Sequence, residues 1–110
     1  LEGKILNTEL EDMKALRSEV ARLTLEIIRL SGERLAIARK IGEIKAKMNM
    51  PVEDPSIESD LRAKVIDLSR KYGLDINFAL KLLDLLINES KRVQRDLIES
   101  RLNKMRHGGS

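Results

Sequence analysis

The sequence has no cysteine and no tryptophan, one histidine, two prolines, one tyrosine and one phenylalanine among 110 residues. Without cysteine there is no disulfide framework, no thiol nucleophile and no thiolate metal site. The lone histidine, His107, stands before a Gly-Gly-Ser end, which argues against histidine-rich zinc hydrolysis and against a Ser-His-Asp triad. So few aromatics (Tyr72 and Phe78) argue against a β-sandwich or barrel, whose strands favour aromatic and β-branched residues. No apolar run of about eighteen residues occurs, so no membrane span is expected. No secretory leader is visible from Leu1 onward, and the cytoplasm is the expected compartment.

What is abundant is Leu, Ile, Ala, Glu, Lys and Arg, the composition of helices. The length suits a single domain over 1–110, with a core from about 4 to 105 and a flexible tail at 106–110. Twenty-one basic residues are interleaved with eighteen acidic ones, for a net charge of +3. The densest basic stretch holds Lys91, Arg92, Arg95, Arg101, Lys104 and Arg106, but Asp96 and Glu99 interrupt it. With no stacking aromatics beside it, this stretch reads as a solvated helix end, and no nucleic-acid partner is expected.

Three helices with two short connections are predicted. The first runs from about Lys4 to Met48, with apolar positions at Leu16, Val20, Leu23, Ile27 and Leu30 and again at Ile37, Ile41, Ile44 and Met48. Steps of four and three mark a long buried seam. At ~1.5 Å per residue this helix is on the order of 65 Å long, against a radius of gyration of roughly 13 Å for a compact monomer of this size. Residues 49–53 form the first connection. Asp54-Pro55 then reads as N-cap and first helical position. The second helix carries Ile57, Leu61, Val65 and Leu68 and stops at Gly73, and Asp75 caps a third helix that reaches about Met105.

A second stripe, Ala21, Thr24, Ile28, Ser31, Leu35, Ala38 and Gly42, runs beside the first seam and is mostly small, which suits close approach of another helix. One helix with two stripes needs two sets of partners. One stripe is expected to meet its own chain and the other a second copy, giving an intertwined all-α homodimer.

The informative residues are polar ones at apolar positions. Arg34 stands in the seam between Leu30 and Ile37, where an unpaired guanidinium costs several kcal/mol. Lys45 follows eleven residues on, about 20° round the helix and roughly 16 Å along it. Arg17 lies about 25 Å from Arg34 along the axis, within reach of the same small site only across an antiparallel dimer. On the third helix, Ser90 and Gln94 take core positions in the series Leu83, Ile87, Ser90, Gln94, Leu97. Asp54 and Glu58 share a face one turn apart. Plainer readings exist for each: Arg34 paired with a glutamate, Lys45 and Arg17 snorkelling, Asp54 a cap, Glu58 favouring the helix dipole, Ser90 and Gln94 bridging chains. Arg34 is the residue for which the plain reading is weakest. The set holds no nucleophile, no histidine base, no metal ligands and no phosphate loop, so it is suited to holding and polarising an anion.

Across Leu16 to Ser100 the sequence resembles the all-helical chorismate mutases. The resemblance is carried by Leu16-Arg17, Gly32-Glu33-Arg34-Leu35-Ala36, Ile41-Gly42-Glu43-Ile44-Lys45, Pro51-Val52-Glu53-Asp54-Pro55 with Glu58, and Asn88-Glu89-Ser90 with Gln94. It implies an intertwined dimer and the Claisen rearrangement of chorismate to prephenate, without cofactor or metal. By that resemblance Arg34 and Arg17 of the partner subunit hold the two carboxylates with help from Ser90. Lys45 and Gln94 donate to the ether oxygen, and Glu58 with the Asp54 region holds the ring hydroxyl. Family members are often joined to a neighbouring enzyme of the pathway, so fusion to or contact with such an enzyme is implied as well. The sequence departs from the family at Ile57, where an arginine is frequent; weaker binding, compensation by a nearby base, or simple packing of Ile57 is expected. Two rivals stay open: an isochorismate pyruvate-lyase on the same fold, and a non-catalytic helical interaction or regulatory module.

Overall fold

The computed structural model describes residues 2–108, and the side chains of 6–107. It is all-helical over these residues: α1 (Glu2–Met48), α2 (Pro55–Tyr72) and α3 (Ile76–Gly108). α1 is a single uninterrupted helix of 47 residues, as its four-three spacing requires. α3 runs three residues beyond the expected end at Met105. Nothing between Met105 and Gly108 breaks a helix, and Arg106 and His107 in the last turn suit the negative end of its dipole. The expected tail is therefore helical through Gly108, and its last two residues lie outside the described ones.

The helix ends follow local chemistry at four points, with one exception. Asn49 adopts φ 55° just past α1, a left-handed position that asparagine tolerates, and the Met50 N–H turns back to the Lys45 carbonyl at 2.9 Å. Gly73 ends α2 at φ 66°, ψ 31°, and the Leu74 N–H donates to the Ser69 carbonyl at 2.8 Å. Asp75 caps α3, its Oδ2 accepting from the Phe78 N–H at 2.9 Å. Pro55 opens α2 as expected. Asp54 holds the N-cap position but makes no side-chain cap bond; its carboxylate is spent elsewhere, as described below.

The chain divides into two compact units, one up to Glu33 and one from Arg34 onward. Over its described residues the first is helix alone. Its hydroxyls fold back on the helix, Thr24 to the Val20 carbonyl and Ser31 to the Ile27 carbonyl, both at 2.8 Å. Satisfied this way, the small-residue stripe presents little polar surface. Leu16, Val20, Leu23, Ile27 and Leu30 are all exposed.

The second unit is organised on α3, whose Ala79, Leu83, Ile87 and Val93 are buried together with Ala38 of α1. Gly42 decides how closely α1 and α3 approach: a Cβ there would stand 3.3 Å from both Cα and Cγ of Gln94. The small stripe at Ala38 and Gly42 thus faces its own chain, while Ile37, Ile41 and Ile44 of the other seam stay exposed. On α2, Ser69 is fully buried and donates to the Val65 carbonyl at 2.7 Å. Arg62 and Asp84 join α2 to α3.

Candidate active site

Lys45 is 4% exposed, and a buried ammonium is tolerable only when its donors are matched. Its Nζ donates to the Val52 carbonyl at 2.6 Å, to Asp54 Oδ2 at 2.6 Å and to Gln94 Oε1 at 3.0 Å. Three donors meet three acceptors. This corrects the reading of Asp54 as a cap: the carboxylate turns back across the connection to neutralise Lys45. The connection is pinned a second time by the ion pair of Glu53 with Arg95. That guanidinium's hydrogen bond holds the Glu53 carboxyl below the usual carboxylate range, with Lys91 adding to the effect.

Gln94 is buried, and its Oε1 is fixed as the acceptor by Lys45. The Gln94 NH2 makes no bond to the protein among the described residues. No buried side-chain nitrogen or oxygen lacks a partner there, so that NH2 is a donor open to whatever occupies the adjoining space. Arg34 is half-buried on α1. Its Nη1 reaches the Leu86 carbonyl at 3.4 Å and Ser90 Oγ at 3.5 Å, both at the outer limit for such bonds. No carboxylate lies within ion-pair distance of it among the described residues, so the expected fate of a seam arginine, pairing with a glutamate, is not its fate here.

These groups surround a cavity of about 310 Å3. Arg34, Asp54, Glu58, Ser90 and Gln94 lie on its wall, with Ile37, Ile41, Ile57 and Ile87 supplying apolar surface. Lys45 is not itself on the wall. All three of its acceptors, at Val52, Asp54 and Gln94, belong to residues that are, so the ammonium lies one layer behind them. Six of the seven expected residues are therefore brought together. Arg17, exposed on α1 in the first unit, does not line the cavity.

Two wall residues depart from the sequence reading. Ile57 does not simply pack; it is 63% exposed at the cavity. Lys91, taken with the solvated charges of α3, instead lies on the wall and pairs with Glu58 at 2.7 Å. The signal for it was present in the sequence: Lys91 stands four residues after Ile87 and three before Gln94, both buried. The other charges of that stretch do behave as a solvated face. Arg92 pairs with Glu89 and Asp96, and all of Arg92, Arg95, Arg101, Lys104 and Arg106 are exposed. A larger open groove of about 530 Å3 runs beside Arg39, Arg92 and Arg101 and contains none of the expected site residues.

In charge, the site holds Arg34, Lys45 and Lys91 against Asp54 and Glu58. Lys45 cancels Asp54 and Lys91 cancels Glu58, which leaves Arg34 as the uncompensated cation. A small cavity with one free guanidinium, one open amide donor and apolar walls is built for a compact anion.

The chorismate mutase type II family matches residues 16–95. The chain is 26% identical over 95 residues to a chorismate mutase of Methanocaldococcus jannaschii, covering 86% of this chain and 96% of that protein. It is 42% identical over 65 residues to a bifunctional chorismate mutase/prephenate dehydratase of Aquifex aeolicus, covering 58% of this chain and 18% of that protein. A bifunctional chorismate mutase/prephenate dehydratase of Escherichia coli is 32% identical over 91 residues, 83% of this chain and 24% of its own length. The chain belongs to the chorismate mutase type II family. It spans almost the whole of the single-function relative and about a quarter or less of the bifunctional ones.

Proposed function

We propose that the protein is a chorismate mutase, an isomerase that converts chorismate to prephenate in phenylalanine and tyrosine biosynthesis. The reaction is a Claisen rearrangement within one molecule: the ether C–O bond breaks while a C–C bond forms. No nucleophile, proton transfer or cofactor is called for, and the site's chemistry is of that kind. The observation that carries the reading is the joint placement of an acid-free Arg34 and an open Gln94 amide donor on the wall of one small cavity, with a buried Lys45 directly behind it.

In this reading Arg34 and Ser90 take one substrate carboxylate, and apolar walls from Ile37, Ile41 and Ile87 press the substrate into its compact conformer. Negative charge grows on the ether oxygen as the C–O bond lengthens. The Gln94 NH2 donates to that oxygen directly. Lys45 joins by yielding its longest bond, the one at 3.0 Å to Gln94 Oε1. Donation that strengthens as charge develops stabilises the transition state more than the ground state. Glu58 and Asp54 face the ring hydroxyl. Conformational restriction supplies the remainder of the acceleration.

The working enzyme is a homodimer with two equivalent sites, each receiving Arg17 of the partner subunit for the second carboxylate. The exposed row of Leu16, Val20, Leu23, Ile27 and Leu30 supports this, because an apolar seam of that regularity is stable when covered by a second helix. Sedimentation equilibrium at micromolar protein should give twice the chain mass; a well-folded monomer would remove Arg17 from the site. We place the dimer in the cytoplasm. Among the described residues no helix is long and apolar enough to cross a membrane. A second enzyme of the same pathway is its candidate partner, since the bifunctional relatives carry a prephenate dehydratase by name.

The deciding assay supplies chorismate and isochorismate separately and identifies products by chromatography. Prephenate from chorismate is expected. An isochorismate pyruvate-lyase needs the same cation and donors, and here both carboxylates that would select a ring hydroxyl are already engaged by lysines. Salicylate and pyruvate from isochorismate, with little prephenate, would move the assignment to the lyase. No product from either would leave a binding module.

A further inference from the structure

We infer that Lys91 is a substrate-binding residue of this cavity, its ammonium steadied by Glu58 and taking a carboxylate of the substrate. The inference rests on the mutase reading of the same site. Lys91 Nζ lies 2.7 Å from Glu58 Oε1, with the two side chains 18% and 26% exposed. An ammonium has three donors, and Glu58 is the one group bonded to Lys91 among the described residues, so two remain unspent at the cavity wall. The neighbouring residue on α3, Ser90, faces Arg34. One turn of α3 therefore serves both wall cations.

Charge makes the same point. Without Lys91, Arg34 and Lys45 would only balance Asp54 and Glu58, and a dianion would find Arg17 of the partner subunit as the single excess cation, beside a bare carboxylate. Lys91 removes that repulsion and adds the cation that Ile57, on the same wall, does not supply. A pair serving only to join α2 to α3 would contribute nothing to affinity for an anion.

The test compares wild type, Lys91→Met and the double variant Lys91→Met/Ile57→Arg. Steady-state kinetics with chorismate are run beside calorimetric binding of prephenate, and urea unfolding confirms that each chain is folded. Lys91→Met should raise KM by about tenfold, more than it lowers kcat, as loss of a charge-assisted bond predicts. Prephenate affinity should fall in parallel, and Ile57→Arg should recover part of both. With an active wild type, KM and prephenate affinity within about twofold of it for Lys91→Met would overturn the inference alone. A KM raised in Lys91→Met and not recovered at all by Ile57→Arg would also overturn it, by reducing Lys91 to a support for Glu58. A wild-type chain that neither turns over chorismate nor binds prephenate would overturn this inference and the mutase reading together.

Discussion

Lys45→Met is the most informative single change, because it removes the ammonium while keeping an unbranched apolar stem. Its cost to folding follows from what it leaves behind. The Val52 carbonyl and Gln94 Oε1 lose a donor, and the Asp54 carboxylate loses its counter-ion. Breaking one partner of a fully buried pair costs about 3–5 kcal/mol, but the Asp54 side chain is 36% exposed and regains water. The net loss is on the order of 1–3 kcal/mol. Catalysis loses more in proportion. Removing one donor to a charge that develops in the transition state typically lowers kcat by about 100- to 1000-fold. The expected result is a folded helical protein with a lower urea midpoint, measured at fixed protomer concentration, and a kcat that falls far more than KM rises. Chorismate consumption followed by absorbance reads both constants. Asp54→Asn is the companion, since it loosens the same network while keeping the ammonium, and its kcat should fall much less. A Lys45→Met protein with kcat within about threefold of wild type and only a raised KM would refute transition-state donation by Lys45.

Arg34→Ala should remove measurable turnover while circular dichroism stays helical, because no other cation of the same chain at the cavity is free of an acid; retained turnover would take Arg34 out of the site. Gly42→Ala gains roughly 1 kcal/mol of helix propensity but sets a methyl 3.3 Å from the Gln94 Cα, which is backbone and yields poorly. The unfolding free energy should change by less than about 1 kcal/mol while kcat drops at least tenfold, since small misplacements of donors are costly; an unchanged kcat would show that Gln94 is not positioned by this contact. The Glu53 carboxyl, held down chiefly by the Arg95 hydrogen bond, should titrate by NMR below an ordinary glutamate and return towards it in Arg95→Ala. Because the folded pKa is the depressed one, the pair favours the folded state above the ordinary glutamate range and is lost as pH falls through the depressed value. A depression that survives Arg95→Ala would point to another cause.

The features read correctly from sequence are those that a backbone or a face determines locally. Four-three spacing marked α1 and the buried positions of α3, Pro55, Gly73 and Asp75 marked helix ends, and the small stripe at Ala38 and Gly42 marked the close approach of α1 to α3. Asp54 shows where that kind of signal stops. Asp-Pro specifies a helix start from backbone preferences, but whether the carboxylate caps or turns away depends on a partner, and that partner is Lys45, nine residues back across a connection. The competition has a physical winner. A surface N-cap bond is worth about 1 kcal/mol, whereas leaving a buried ammonium without its counter-ion costs several.

The same reasoning explains Lys91. Inside a run of mixed charges its side chain is indistinguishable from Arg92 or Arg95, which solvate or form surface pairs. What separates it is position on the helix face, between Ile87 and Gln94, together with a glutamate one turn into α2. Lys45 and Lys91 thus follow one rule: each cation at this cavity that has an acid beside it is partly or wholly withdrawn from solvent by that acid. Arg34, the exception, is the one held only by weak bonds of 3.4 and 3.5 Å. A guanidinium kept half-buried without an acid raises the free energy of the empty site, and a carboxylate ligand relieves it on binding. The cost of Arg34 to the unliganded fold and its contribution to affinity are therefore the same interaction. On this account Arg34→Met should make the empty protein no less stable, and more stable if the apolar stem packs, even as substrate binding is lost.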